Sequence, residues 1–260
     1  MIQRGVERNA GAGVHRQIRQ VPHNEWTEQI PDAEWAVYEQ AIAALRPIES
    51  QLLLGGAFGL AAYTGNWRNT KDMDIYVRPQ DRQAMIDALT RVGFVDYYDQ
   101  LPYVRHWIYR AFKDGCIVDL IWAMANQRAE VDEEWFERAE EIRVRGETLG
   151  VVPPEELLWC KLYVLQKDRC DWPDVITLIH ALEKQIDWDH LMHRLGDDLP
   201  LLAGLLNVYG WLCPGDKLDL PQQLRAMVPI CAQPRGPLAD TCRINWIDSR
   251  PWFRPRPNVS

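Results

Sequence analysis

The residues best suited to chemistry are three aspartates. Asp72 and Asp74 flank Met73 in the alternating stretch DMDIYV (72–77), and Asp119 stands alone in the apolar run CIVDLIW (116–122). Side chains at i and i+2 of a strand point to the same face, which sets Asp72 and Asp74 side by side with Met73 facing the core. Carboxylates that close repel one another, and one pKa rises unless a cation lies between them. Oxygen-only ligands favour Mg²⁺ or Mn²⁺ as that cation. A bare D-x-D is more often two surface acids on a solvated edge, but Ile75, Tyr76 and Val77 follow here, which is not the pattern of a free edge. Asp119 is costly to bury in so apolar a strand unless it is paired or binds a metal. A salt-bridged aspartate and a metal ligand account for it equally well.

Upstream lies Gln51-Leu52-Leu53-Leu54 followed by Gly55-Gly56. The run is too short for a helix and reads as a buried strand entering a tight turn. Glycine permits close approach of backbone to a ligand, and the amides of a helix N-terminus attract phosphate. By itself Gly-Gly marks only a turn; here one short helix (57–64) separates it from the aspartate pair. His106 could carry a proton or line an acceptor pocket, although a lone strand histidine is more often structural. Core packing accounts for most of the twelve tryptophans, Trp67, Trp107, Trp122 and Trp159 among them.

The elements that must position these groups follow from periodicity. A helix is predicted from Asp32, with Asp32 as N-cap and Trp35, Val37, Tyr38, Ala41, Ile42 and Leu45 inward, until Pro47 stops it. A helix from Pro79-Gln80-Asp81 to about Val92 turns Met85, Ile86, Leu89 and Val92 to one side. Three strands follow near 94–98, 105–112 and 116–121, the last two joined at Lys113-Asp114-Gly115. After a short helix (132–140) and a hairpin at Gly146, the pattern becomes helical: a segment opening at Pro153-Pro154-Glu155-Glu156, then 172–184, 187–195 and 199–212. The reading is α+β, a small mixed sheet flanked by helices. It divides into a mobile N-terminal arm (1–30), an α/β domain (31–150), a helical domain (151–228) and a Pro/Arg-rich tail (229–260).

Composition narrows the functions. The chain has 260 residues, 47% hydrophobic and 25% charged, ordinary for a globular protein. No apolar run is long enough to span a bilayer, and the basic N-terminus lacks the apolar stretch of a signal peptide; a cytoplasmic enzyme is expected. The six cysteines form no C-x-x-C pair or zinc-type cluster, and Cys116 and Cys160 read as small core residues. A net charge of −8 argues against a long polynucleotide substrate, which usually requires a basic face.

The order strand, Gly-Gly, short helix, Arg-x-Thr-x-Asp-x-Asp, then a lone Asp in a later strand resembles the DNA polymerase β-like nucleotidyltransferase superfamily. Within it, LLLGGAFGLAAYTGNWRNTKDMDIYV is similar to small bacterial antibiotic-modifying and toxin-type nucleotidyltransferases. The resemblance spans about residues 50–185. Ala57 stands where the family usually has a phosphate-holding serine. The resemblance implies metal-dependent transfer of a nucleoside monophosphate from an NTP to a hydroxyl, on a small molecule or, in toxin-like relatives, on tRNA or protein; a catalytically silent nucleotide-binding protein is the third possibility. It implies Asp72, Asp74 and Asp119 as catalytic metal ligands for Mg²⁺ or Mn²⁺. Gly55, Gly56, Arg68 and Lys161, with Lys71, would serve the triphosphate. Lys161, set among Leu157, Leu158, Leu162 and Leu165, could equally snorkel to solvent. Residues 167–174 (KDRCDWPD) read mainly as architecture, with Asp171 as a helix N-cap.

Overall fold

The computed structural model describes residues 24–48, 52–70, 72–216 and 218–228. Among them the strands are β1 (Leu53–Leu54), β2 (Asp72–Tyr76), β3 (Val95–Asp96), β4 (Ile108–Lys113), β5 (Cys116–Ile121), β6 (Glu140–Val144) and β7 (Glu147–Val151). They form one mixed sheet in the order β3-β4-β5-β2-β1-β7-β6. The helices are α1 (Asp32–Leu45), α2 (Gly56–Thr64), α3 (Arg82–Arg91), α4 (Glu133–Glu137), α5 (Pro154–Leu162), α6 (Trp172–Leu182), α7 (Trp188–Leu195), α8 (Leu199–Leu212) and α9 (Gln222–Met227).

Two hairpins set the antiparallel registers. Asp114 and Gly115 both have positive φ and make a two-residue turn that pairs Lys113 with Cys116 and so Arg110 with Asp119. Arg145 and Gly146 do the same between β6 and β7. Such turns match the twist of the strands they join and demand residues tolerant of positive φ. β2 is a central strand, parallel to β5 and antiparallel to β1. It buries Met73 and Ile75 completely on one face and turns Asp72, Asp74 and Tyr76 to the other.

The helical region joins this sheet through buried polar groups as well as apolar ones. Tyr63 on α2 donates to the carbonyl of Val152, 2.9 Å away, beyond the end of β7. Glu155 and Glu156, expected as ordinary first-turn acids, are fully buried. Glu155 accepts from the backbone N–H of Asp187 at 2.7 Å, and Glu156 lies 2.5 Å from His190 Nε2 and accepts from Arg194 Nε at 3.3 Å. Arg194 in turn holds Asp132, the N-cap of α4. This network fastens α7 to α5 and α4.

Several expectations need correction. The N-cap of α1 is Pro31, without a side-chain cap, and the Asp32 carboxylate pairs with Arg145 instead. Val92 is 38% exposed and Ala88 takes its place on the buried side of α3. Asn24–Gln29, expected within a mobile arm, form a 3₁₀-helix whose Trp26 is buried, stacked on Trp67 and edge-on to Phe58. Residues 1–23 of that arm and the tail from 229 lie outside the described residues. α9 had no sequence expectation. No helix among the described residues is long and apolar enough to cross a membrane.

The buried network gives a direct test. Replacing Glu156 by Ala leaves His190 and Arg194 facing a buried gap and should lower unfolding free energy by roughly 3 kcal/mol in chemical denaturation. Glu156→Gln, which keeps an acceptor in place, should cost distinctly less.

Candidate active site

The parallel register of β2 and β5 places Asp74 directly beside Asp119, with Asp72 beside Ile117. The three predicted carboxylates therefore share one face of two central strands. Asp119 is 1% exposed, whereas Asp72 and Asp74 are half-buried. Burial, then the charges of Asp119 and Asp72, push the Asp74 carboxyl up to about 7, against relief from Lys161 and Arg169. Burial also raises Asp119, to about 6, although Arg110 pulls it down. Burial and neighbouring like charge both disfavour the ionised form of these carboxyls.

Asp119 already has a protein partner. Arg110 donates from Nε to both its oxygens (3.0 and 3.1 Å) and from Nη2 to Oδ2 (2.8 Å). Sequence reasoning missed Arg110, yet a signal was present: the two-residue Asp114-Gly115 turn fixes 110 opposite 119 by counting outward. Thr70 Oγ1 donates to Asp72 Oδ1 and orients it.

Gly55 and Gly56 lie against the same face. Gly55 N–H donates to the Asp74 carbonyl at 3.0 Å, and a Cβ at Gly55 would meet the Tyr76 ring at 2.3 Å. At Gly56, with φ +51°, a Cβ would fall 1.6 Å from Asp74 Oδ2. Glycine is required here because the start of α2 touches the aspartate itself. Ala57 follows in the first turn of α2.

The predicted phosphate cations are ion-paired. Arg68 forms a two-pronged bridge to Asp174 (3.1 and 3.0 Å). Lys161 does not snorkel: it is 5% exposed, with Nζ 3.0 Å from Asp171 and 2.7 Å from Asp174. Arg169 holds Asp171 from the other side. Three cations against two carboxylates leave this cluster one positive charge in excess, close enough for Lys161 and Arg169 to depress the Asp74 pKa. Asp171, expected as an N-cap of α6, thus spends its carboxylate on Lys161 and Arg169. Lys71 lies outside the described residues. His106 is exposed, 3.2 Å from the Ala125 carbonyl, in a cleft with Arg82, Arg105 and Trp122 that none of the three aspartates lines. Trp67 packs against Trp26 and Phe58, and Trp122 and Trp159 are buried.

Residues 48–206 match the family described as uncharacterised nucleotidyltransferase, and the chain belongs to that family. It is an enzyme of the nucleotidyltransferase class. No curated protein matches it in sequence. Similar solved structures include the antibiotic-resistance factor ANT(2'')-Ia (15% identity, TM-score 0.43, 69% of this chain and 95% of that one). The lincosamide antibiotic adenylyltransferase LnuA is another (16%, 0.41, 57% and 96%). A Megavirus polyadenylate synthase is also similar (13%, 0.38, 69% and 39%).

Two outcomes are expected from the electrostatics. Because Asp74 and Asp119 titrate higher in the folded chain than the ordinary 3.8, the folded state binds more protons between about pH 4 and pH 7. Without divalent ions, stability should therefore fall as pH rises through that window. Asp74→Asn should abolish much of the fall, so the variant gains on the parent at pH 8 but not at pH 4, measured by thermal unfolding in EDTA. Arg110→Ala should cost roughly 3 kcal/mol at pH 8, because it leaves a buried carboxylate without its cation, and less at pH 5, where Asp119 is protonated.

Proposed function

We propose that the chain transfers a nucleoside monophosphate from an NTP to a hydroxyl of a small-molecule acceptor, using Asp72, Asp74 and Asp119 with Mg²⁺ or Mn²⁺. The observation that carries this reading is the in-register pair Asp74–Asp119 on adjacent central strands, with Asp72 two residues back on the same face. The fit of a divalent ion rests on the donor chemistry: three carboxylates on one face, Asp119 buried and Asp72 and Asp74 half-buried, two of them with pKa values raised to about 7 and about 6, their oxygens not all within 4.8 Å of one another without the ion. Bound there, Mg²⁺ or Mn²⁺ supplies positive charge to the triphosphate and to the acceptor oxygen.

The remaining work belongs to the chain. Thr70 and Arg110 hold Asp72 and Asp119 in fixed orientations, as supporting hydrogen bonds do for ligating carboxylates. The glycine-opened N-terminus of α2 lies against Asp74 and offers backbone amides to phosphate oxygens. This compensates for Ala57, which has no hydroxyl to offer. The positive excess of the Arg68–Lys161–Arg169 cluster favours the triphosphate without pointing a bare cation at it. The acceptor oxygen bonds to the α-phosphorus, the bond to the bridging oxygen breaks, and pyrophosphate leaves while the hydroxyl proton passes to solvent. The net charge of −8 favours a neutral or cationic acceptor over tRNA. Nothing in this chemistry requires a membrane, and the cytoplasm, where NTP and Mg²⁺ are abundant, is the proposed location.

The test uses each labelled NTP with Mg²⁺ and, separately, a panel of aminoglycosides and lincosamides or total tRNA. Label should appear on a small molecule together with pyrophosphate, and Asp72→Asn with Asp74→Asn should lower the rate at least about a hundredfold. Label on tRNA alone would overturn the acceptor class. Absence of any metal-dependent thermal stabilisation by NTP would sink the site assignment itself.

A further inference from the structure

Outside the aspartate site, three potential metal ligands of different chemistry converge. His180 lies in the last turn of α6, Cys213 caps the C-terminus of α8, and Asp216 follows three residues later. Asp216 N–H donates to the Cys213 carbonyl at 3.0 Å, closing a turn over Cys213-Pro214-Gly215-Asp216. Proline and glycine at the central positions suit such a turn. The turn swings the thiol and the carboxylate of one segment towards the imidazole of another helix. Their ligand-type atoms all lie within 4.8 Å of one another, the only such His/Cys/Asp/Glu group among the described residues.

We propose that His180, Cys213 and Asp216 form a Zn²⁺ site that clamps the end of α6 to the end of α8. One imidazole nitrogen, one thiolate and one carboxylate make a donor set of borderline softness, which suits Zn²⁺ and not Mg²⁺ or Ca²⁺. His180 Nδ1 and Asp216 Oδ2 are 2.9 Å apart, so a small outward adjustment of both admits an ion between them. Cys213 is 3% exposed, while the His180 and Asp216 side chains keep 22% and 23% of their surface. The thiol thus forms the floor of the site, and the open side leaves room for a water as fourth ligand. Tyr209, one turn before the end of α8, donates its hydroxyl to Asp216 Oδ2 and lies 3.5 Å from His180 Nδ1. That hydrogen bond would orient the carboxylate from outside the ligand shell. Without metal the same atoms form a Tyr209–Asp216–His180 hydrogen-bond group, which is the competing account. Ion binding releases the thiol proton to solvent. None of the residues assigned to nucleotidyl transfer belongs to this group.

The experiment strips the full chain with EDTA, removes the chelator, and titrates Zn²⁺ against a chromophoric competitor, then Co²⁺ followed by absorption. One equivalent of Zn²⁺ should bind and raise the melting temperature. Co²⁺ should give visible tetrahedral bands with a thiolate charge-transfer band. Cys213→Ser should remove the charge-transfer band, and both it and His180→Gln should weaken Zn²⁺ binding at least about tenfold. Replacement of the exposed Cys170 by Ser should leave the titration unchanged, and replacement of Asp72 and Asp74 by Asn should leave the tight, thiolate-bearing step unchanged. If Cys213→Ser fails to fold, His180→Gln carries the comparison. Absence of stoichiometric Zn²⁺ binding by the parent chain, or equal binding by the His180 and Cys213 variants, overturns the proposal in favour of the hydrogen-bond group.

Discussion

Three carboxylates crowded onto one face of two central strands set the terms for the middle of this molecule. Packing them there opposes folding twice, once through lost hydration and once through mutual repulsion. Asp119 shows the first effect most plainly, as an acid with 1% exposure inside an otherwise apolar strand. Asp74 shows both, with its pKa raised to about 7. A protein that keeps such an arrangement must surround it with compensation.

The compensation accounts for much of the surrounding structure. Arg110 reaches across from β4 with three hydrogen bonds to Asp119. Lys161 and Arg169 lower the Asp74 pKa from α5 and from the segment before α6. Both cations are themselves balanced by Asp171 and Asp174, so that α6 is positioned by the same electrostatics that temper the aspartates. The approach of α2 to β2 is set by contact as well as charge, because Gly56 leaves room only for a hydrogen where Asp74 Oδ2 sits. On the proposed function, Arg110 and an incoming cation serve Asp119 in the same way. The two must share its oxygens or exchange places.

Much of this was legible in the chain. The alternation of DMDIYV placed Met73 inward and both aspartates outward, and the Asp114-Gly115 signal gave the hairpin. Counting back from that turn also yields the Arg110–Asp119 pair, because a two-residue loop leaves no freedom of register. Other features were not legible because their partners are distant in sequence. Lys161 could be read as a phosphate cation or as a snorkelling lysine, and only the fold brings Asp171 and Asp174 over it; Arg68 stays exposed, but its partner Asp174 lies 106 residues on. Asp32 looked like a cap but turned to Arg145, because Pro31 already occupies the capping position. Trp26 looked like part of a loose arm, since its burial depends on Phe58 and Trp67.

What the sequence determined by itself is local: strand alternation, turn type, helix stops, and the presence of three acids where apolar residues would be expected. These follow from backbone sterics and side-chain period, which act over a few residues. That Asp74 lies beside Asp119 was decided only by the tertiary structure. The two belong to parallel strands joined by a long crossover through α3, β3 and β4, and the register of such strands is set by packing of the whole sheet and not by a turn. The same holds for the meeting of His180 with Cys213 and Asp216, for which spacing along the chain gives no hint and helix packing supplies the contact.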